Sequence, residues 1–165
     1  MDSSMRMEQL LQTIRAFDGV VELAPAEGSG FPEIAWGDHF FYFAPHGQVP
    51  DRVQPYATIV TKDYPDDTLC GLDPAGRWRV NIHVGKAKLT ELTGEDFGDT
   101  AAHDFSEADV ILPHPVYAAL GWIAVVNPGD RTAPAVVALL GDAHDNAPRR
   151  ASRRGAPDAP GNATG

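Results

Sequence analysis

Residues 78–84 alternate strictly between apolar and polar side chains, and this segment constrains the fold more than any other. The apolar members are Trp78, Val80, Ile82 and Val84, and the polar members are Arg79, Asn81 and His83. Successive residues of a β-strand point to opposite faces of the sheet, so the pattern predicts a strand with one covered face and one more polar face. This arrangement is typical of antiparallel sheets.

The order of the remaining apolar patterns predicts the fold class. A helical pattern at 4–17 is followed by strand-like segments at 20–24, 33–43 and 56–63. After the strand at 78–84, the chain predicts a helix at 85–92, a buried strand at 122–126 and a last helix. We expect Thr132 to cap this helix and the helix to end before Pro148. Strands in succession predict an α+β fold with a mostly antiparallel sheet, whose N-terminal and C-terminal helices pack on one face.

The length and the charge distribution predict one acidic domain with a basic tail. The chain has 165 residues, which fits a single α+β domain at 1–147. Residues 148–165 are rich in Ala, Gly, Pro and Arg, and we expect them to be disordered. Four arginines and one aspartate give residues 149–165 a net charge of +3, and the total of −10 therefore leaves −13 for the rest of the chain.

Charge and hydropathy restrict the classes of partner. A body with this negative charge repels nucleic-acid phosphates, so nucleic-acid binding is kept only as a minor hypothesis for the arginine tail. No apolar run approaches the ~20 residues of a membrane helix, and the first residues do not resemble a signal peptide. We therefore expect a cytoplasmic protein with no membrane association.

Standard motifs for cofactors, metals and nucleophiles are missing from the sequence. It has neither a phosphate-binding glycine loop nor a dinucleotide fingerprint, and its histidines do not have the close spacings of a local metal site, so we predict no cofactor and no metal. Cys70 is the only cysteine. Nearby aspartates would raise the pKa of its thiol, which argues against a nucleophile.

The polar face of residues 78–84 is the first candidate site. Arg79 could bind a carboxylate or phosphate, Asn81 could orient a ligand, and His83 could transfer protons near neutral pH. We prefer the simpler interpretation that the three side chains face water on an uncovered sheet.

Two further candidates lie in predicted turns. Asp38 and His39 could form an acid–histidine pair, although two polar residues at a hairpin tip is the simpler interpretation. Lys62 and the acidic residues after it could bind an ion, although a solvated turn is the simpler interpretation. Trp36, like the other two tryptophans, has an apolar strand context that favours core packing, and it is kept as a candidate ligand contact.

The fourth candidate is the segment 112–117, in which prolines flank His114 on both sides. The prolines restrict the backbone, which would suit a functional imidazole or a plain sharp connection equally. Tyr117 follows in the same segment as a candidate ligand contact.

Four segments carry a resemblance to a known group of proteins. They are PEIAWGD at 32–38, ATIVTKDYP at 57–65, RVNI at 79–82 and LPHPVYAALGW at 112–122. Together they resemble an uncharacterised actinobacterial family, a domain of unknown function, and the resemblance covers residues 5 to 147. A fainter resemblance, between residues 114 and 143, is to MmcQ/YjbR-like proteins. It implies a small α+β fold with an antiparallel sheet, and the acidity of the body argues against a DNA-binding role.

Two hypotheses about function remain open from the sequence. The first is a non-catalytic domain that binds a small molecule or a protein partner across its sheet. The alternative is an enzyme of actinobacterial specialised metabolism that acts on a small metabolite, with His83 or His114 as acid or base and Arg79 as an anion anchor. Convergence of these three side chains in one pocket would favour the enzyme.

Overall fold

The computed structural model describes residues 7–28, 30–44, 47, 54–72, 76–93 and 104–155, with backbone only for 148–155. Its α-helices are α1 (Met7–Arg15), α2 (Lys86–Thr93) and α3 (Ala133–Gly155). Its strands are β1 (Val20–Leu23), β2 (His39–Phe43), β3 (Ala57–Val60), β4 (Arg79–His83), β5 (Leu112–Pro113) and β6 (Trp122–Val126). Short 3₁₀ helices lie at Glu33–Ala35 and Ala118–Leu120.

The strands form one six-stranded sheet in the order β1-β2-β3-β4-β6-β5, and every neighbouring pair is antiparallel. This confirms the predicted α+β class and the predicted antiparallel sheet. The sheet is open and does not close into a barrel. Strand β4, the segment with the strict alternation, is one of the two central strands and lies between β3 and β6.

One face of the sheet holds the main core, together with α1 and α3. Apolar side chains of the sheet meet apolar side chains of both helices, and the members include Phe41, Ile59, Val80, Ile82, Ile123, Leu10, Ile14, Val136 and Leu140. The two helices also contact each other. The prediction that both terminal helices pack on one face is therefore confirmed, and the alternation in β4 assigns its apolar side chains to that face.

Three local predictions are wrong. The segment predicted as a strand from residue 33 begins with a 3₁₀ helix at Glu33–Ala35, and strand β2 starts only at His39, after the positive φ of Gly37 turns the chain. The last helix continues through Pro148 to Gly155, because one missing N–H can be tolerated among strong helix formers such as Ala and Arg. Residues 156–165 of the predicted tail lie outside the described residues.

The third correction concerns the start of α3, whose position is confirmed but whose cap differs. The hydroxyl of Thr132 donates to Oδ1 of Asp109 at 2.6 Å. The Asp109 carboxylate accepts instead from the N–H groups of Gly129, Arg131 and Thr132. A residue distant in sequence therefore satisfies N–H groups at this end of the helix.

Among the described residues, no helix combines the length and the apolar character that crossing a membrane requires.

Candidate functional site

The face of the sheet opposite the helices holds a cleft of about 640 Å³. Strand register places Thr58 of β3 beside Asn81 of β4, and Asn81 beside Ala124 of β6. The described lining residues are Ala35, Phe40, Tyr42, Gln54, Pro55, Thr58, Val60, Tyr64, Asp66, Asp67, Arg79, Asn81, His114, Val116, Tyr117, Leu120 and Trp122. The polar face of the alternating strand thus forms part of the cleft wall.

Segments outside the strands cover much of this face. Tyr64 and Asp67 come from the connection between β3 and β4, and the residues around His114 come from the connection between β5 and β6. The second connection supplies three exposed apolar side chains at the cleft, Val116, Tyr117 and Leu120. As a result Arg79 is only 2 % exposed and Asn81 only 3 % exposed, so the preferred interpretation that they face water is wrong.

Arg79 forms a buried ion pair with Asp67. Its Nη1 donates to Oδ1 of Asp67 at 3.0 Å, and its Nη2 donates to Oδ2 at 2.6 Å. Burial alone would raise the pKa of Asp67, but the hydrogen bonds and the charge of Arg79 outweigh it and hold this pKa below its usual range. Arg79 does bind a carboxylate, as its residue type predicted, but the carboxylate belongs to its own chain.

Cys70 packs against the same guanidinium. Nη1 of Arg79 lies 3.2 Å from its Sγ. Burial raises the pKa of the Cys70 thiol, Arg79 opposes this effect, and Asp67 and Asp63 add to it. The predicted direction of the shift is therefore present, although burial rather than the aspartates is its main cause. A buried, protonated thiol is a poor nucleophile.

His114 is 3 % exposed and its ring nitrogens face N–H donors. Its Nδ1 accepts from the backbone N–H groups of Val116 and Tyr117, both at 3.0 Å. Its Nε2 lies 3.3 Å from Nη2 of Arg79 and 3.8 Å from Oδ2 of Asp67. Burial and the charge of Arg79 lower the pKa of His114 to about 3, against a smaller opposing effect of Asp67.

This environment fixes the chemistry of His114 near neutral pH. The ring is neutral, and its Nδ1 accepts from two backbone N–H groups. The lone pair that a general base would use is therefore occupied by the backbone. The ring holds the chain at residues 114–117 in place, where it also packs against Tyr117 with the ring centroids 4.9 Å apart and the ring planes tilted by 40°.

Two polar atoms of residues that line the cleft have no hydrogen-bond partner among the described residues. They are Nε of Arg79 and Oδ1 of Asn81, and both are fully buried. The amide nitrogen of Asn81 donates to Oγ1 of Thr58 at 2.9 Å, which leaves the amide oxygen as the unpaired end. Buried polar groups are nearly always paired in folded proteins, so two unpaired atoms on one face of one strand need an explanation.

His83 lies apart from this group. Register pairs it with Trp122 at the opposite end of β4 from Arg79, and the two rings meet edge to face with centroids 5.6 Å apart. It is not among the described residues that line the cleft. Of the three side chains expected to converge in an enzyme, the structure brings together Arg79 and His114 and leaves His83 outside.

The Asp38–His39 pair does not exist as a unit. Asp38 is fully buried and accepts from the backbone N–H and the hydroxyl of Thr61, both at 2.8 Å, from Nζ of Lys62 at 3.2 Å, and from the Tyr64 hydroxyl. The predicted hairpin tip is therefore wrong. His39 lies on the helix-covered face, where its Nδ1 is 2.5 Å from Oε2 of Glu22.

Lys62 and Trp36 are joined to each other by a hydrogen bond. Nζ of Lys62 donates to the carbonyl oxygen of Trp36 at 2.6 Å, and the indole N–H of Trp36 donates to the carbonyl oxygen of Phe31 at 3.1 Å. Neither residue is among the described residues that line the cleft. The buried Asp38 accepts hydrogen bonds from both Lys62 and Tyr64. Burial and the hydrogen bond to Asp38 raise the pKa of Tyr64.

The predicted solvated turn after Lys62 is wrong in part. Asp67 is buried with Arg79, and Oδ1 of Asp63 accepts from the N–H of Leu72 at 2.9 Å. Among the residues that the structure describes, no group of three His, Cys, Asp or Glu side chains is arranged to hold a metal ion.

Several lining residues were not expected from the sequence. Trp122 was predicted as a core residue but lines the cleft, and Phe40, Tyr42 and Thr58 were not singled out. The alternation of side chains between the two faces of the sheet could have identified them. Phe40 pairs with Thr58 and Thr58 pairs with Asn81, so the three side chains lie on the same face. Extending the polar face of β4 to its neighbours identifies the same wall.

Comparison with known proteins assigns the family. Residues 5–156 match DUF6194, a family of unknown function. The chain belongs to this family. No curated protein and no solved structure matches it. The resemblance to an uncharacterised domain is thereby confirmed, and the actinobacterial origin and the likeness to MmcQ/YjbR-like proteins stay predictions.

Proposed function

We propose that this DUF6194 chain is a binding domain that holds a small molecule in the cleft on the open face of its sheet. The observation that carries the proposal is the cleft itself, which has a volume of about 640 Å³ and is lined mostly by aromatic and aliphatic side chains, with the polar side chains of Asp67, Arg79, Asn81 and His114 among them.

The size and the lining of the cleft support a small molecule over a protein partner. A cavity of about 640 Å³ lies within the range of ligand pockets, which is about 300–1,000 Å³. Aromatic and aliphatic side chains form most of the lining, and a few polar groups converge at one place. This combination is typical of sites that orient a small ligand.

The environment of His114 supports binding rather than acid–base catalysis. Its pKa of about 3 keeps the ring neutral, and its accepting nitrogen is bonded to the backbone. The other proposed acid or base, His83, is outside the group that lines the cleft. The proposal therefore assigns a ligand to the cleft and no reaction.

The test is a ligand screen on the wild-type chain and on a double variant, Thr58→Val with Asn81→Leu. The double substitution removes both ends of the Asn81–Thr58 hydrogen bond and the unpaired oxygen, and it replaces them with apolar groups of similar size. We expect the unliganded double variant to be as stable as the wild type or more so. Compounds that raise the melting temperature of the wild type should not raise that of the variant.

Thr90→Val is the matched control, because Thr90 is exposed on α2, outside the lining of the cleft. It should respond to ligands as the wild type does. The proposal fails if no compound in a broad metabolite library stabilises the wild type, or if every stabilising compound acts equally on the double variant.

A further inference from the structure

Large apolar side chains that are exposed to solvent are concentrated in one segment at the cleft. Six such residues occur among those that the structure describes, and three of them lie within residues 116–120, namely Val116, Tyr117 and Leu120. Their exposed fractions are 39 %, 46 % and 61 %, and all three line the cleft. Exposed apolar surface that is concentrated at a cleft is typical of a ligand-binding groove.

Hydrogen bonds hold the backbone of this 116–120 segment. Nδ1 of His114 accepts from the N–H groups of Val116 and Tyr117, both at 3.0 Å. The N–H of Ala118 donates to the carbonyl oxygen of His114 at 3.2 Å, and Ala118 itself belongs to the main core. The N–H of Leu120 donates to the carbonyl oxygen of Tyr117 at 2.9 Å. The exposed apolar side chains are therefore presented by an anchored backbone, which lowers the entropy that a ligand loses by ordering them.

The charged side chains of the lining offer a ligand little accessible surface. Arg79 and Asp67 are both buried and are bonded to each other. Asn81 and His114 are buried as well. The one exposed charged residue of the described lining is Asp66. A ligand in the cleft would therefore contact mainly the less buried members of the lining.

Those less buried members are mostly aromatic or aliphatic. All five aromatic residues of the lining besides His114 are at least partly exposed, namely Phe40, Tyr42, Tyr64, Tyr117 and Trp122. The accessible polar residues besides Asp66 carry uncharged groups, such as the hydroxyl of Thr58 and the amide of Gln54. The accessible surface of the cleft therefore suits a mostly apolar molecule with uncharged polar groups.

Charged ligands are disfavoured at this surface. An anion would find no free cation in the described lining, because Arg79 is paired with Asp67, and it would meet the field of a chain with a net charge of −10. A cation would be attracted by the carboxylate of Asp66, but that residue is exposed, so water and salt weaken the attraction. Either ion would also lose water against apolar side chains, which is costly without a buried partner.

We infer that the cleft takes an uncharged, mostly apolar small molecule, and that the exposed side chains of the 116–120 segment determine its specificity. This inference rests on the proposed function, because it names the class of ligand for the same cleft. The cleft volume of about 640 Å³ sets the upper limit on the size of the ligand. The ligand class differs from the anion that the residue type of Arg79 first indicated.

The experiment measures how well competitors displace an uncharged fluorescent probe, N-phenyl-1-naphthylamine, from the full chain at pH 7.5. The competitors are hexanol, heptanol and octanol, each matched with the alkanoate and the alkylammonium ion of the same chain length. We expect the affinity of the alcohols to rise by about fourfold for each added methylene group. Each matched ion should bind at least about tenfold more weakly than its alcohol.

Chemical shifts locate the binding. The indole N–H of Trp122 reports on the cleft, whereas Trp78 packs in the main core on the other face of the sheet and serves as the internal control. We expect the probe and the alcohols to shift the ¹H–¹⁵N signals of the Trp122 indole and the Tyr117 amide. The indole signal of Trp78 should stay in place.

Two leucine variants form a matched pair. Leu120 is 61 % exposed and lines the cleft, while Leu69 is 57 % exposed and is not among the described lining residues. Because both side chains are largely exposed, Leu120→Gln and Leu69→Gln should both fold. We expect Leu120→Gln to weaken the probe and the alcohols by about threefold to tenfold, since part of the apolar contact is lost. Leu69→Gln should bind them as the wild type does.

The inference is overturned if an ion binds in the cleft as tightly as its matched alcohol, or if the two leucine variants weaken binding equally. In both cases a shift of the Trp122 signal shows that the cleft still binds small molecules, and the proposed function stands. A second copy of the chain is the alternative occupant of the exposed segment. A dimer in sedimentation that Leu120→Gln dissociates, without displacement of the probe by any alcohol, would also overturn the inference. If no compound shifts the Trp122 signal, the proposed function itself fails.

Discussion

The guanidinium of Arg79 and the carboxylate of Asp67 form two parallel hydrogen bonds beside the cleft, although the two residues are twelve positions apart in the chain. The side chain of Arg79 is 3 % exposed and that of Asp67 is 9 % exposed. The pair therefore joins the connection after β3 to the central strand of the sheet. It also occupies the two Nη atoms that could otherwise bind an anion.

The first prediction is that breaking this pair from one side is strongly destabilising. Asp67→Ala leaves the buried guanidinium without its partner, and the free energy of unfolding should fall by about 3–5 kcal/mol. Replacing both members, as Asp67→Leu with Arg79→Met, should cost much less, since no buried charge remains. Urea unfolding of both variants measures the difference. A loss below about 1 kcal/mol for Asp67→Ala would contradict a buried, mutually dependent pair.

The face on which each side chain of β4 lies follows from the local sequence pattern, whereas the burial of that face depends on distant segments. The alternation in β4 predicted that Arg79, Asn81 and His83 share a face, because the strand period is a property of the segment itself. What covers that face depends on the connections around Asp67 and His114, which have no periodic pattern. For this reason a face predicted as solvated is buried at Arg79 and Asn81.

The fold could be predicted because its signals lie within short segments. The hydrogen-bond partners could not be predicted because they are distant from each other in sequence. The apolar stripe of α1 and the succession of strands are short-range signals, and they predicted the sheet with helices on one face. The hydrogen bonds of Asp38 with Lys62 and of Asp109 with Gly129 join residues 24 and 20 positions apart. Asp38 and Lys62 are residue types typical of turns, so the sequence favoured turns there, whereas the carboxylate of Asp38 is buried and binds the chain.

The second prediction concerns the dependence of stability on pH. The folded pKa of His114 is about 3, below its unfolded value of about 6.5. Between these values the unfolded chain binds a proton that the folded chain does not, so the free energy of unfolding falls as the pH falls. The contribution of His114 is complete above about pH 6.5 and decreases by about 1.4 kcal/mol per pH unit below it, down to about pH 3.

His114→Asn isolates this effect. The asparagine oxygen can accept from the same two backbone N–H groups, as in an Asx turn, but it does not titrate. Urea unfolding between pH 4.5 and 7.5 should therefore show a shallower slope for the variant than for the wild type, whatever its stability at pH 7.5. Parallel slopes would mean that His114 has the same pKa in the folded and unfolded chain, contrary to the lowered pKa.

The third prediction uses two glycines with opposite requirements. Gly121 has a φ of 90°, and a Cβ there would lie 2.8 Å from the Cα of Gly85. Gly121→Ala should therefore destabilise the protein by more than the ~1–2 kcal/mol that a left-handed conformation costs alone. Gly141 lies inside α3 with nothing near its added Cβ, so Gly141→Ala should stabilise by about 0.5–1 kcal/mol. Thermal unfolding of the two alanine variants should give shifts of opposite sign, and equal shifts would contradict the close approach of Gly121 to Gly85.

The last prediction concerns Asp109, which caps α3 from outside the helix. Its backbone φ of 61° is in the left-handed region, and its carboxylate accepts from three backbone N–H groups at the helix start. Asp109→Ala removes the acceptor and puts a side chain in that region that rarely adopts it. We expect a loss of about 1–3 kcal/mol. Asp109→Asn keeps an acceptor and tolerates the left-handed conformation, so urea unfolding should show a clearly smaller loss. If the two variants are equally destabilised, the charge of Asp109 rather than its cap geometry stabilises the helix start, because only the charge is missing from both.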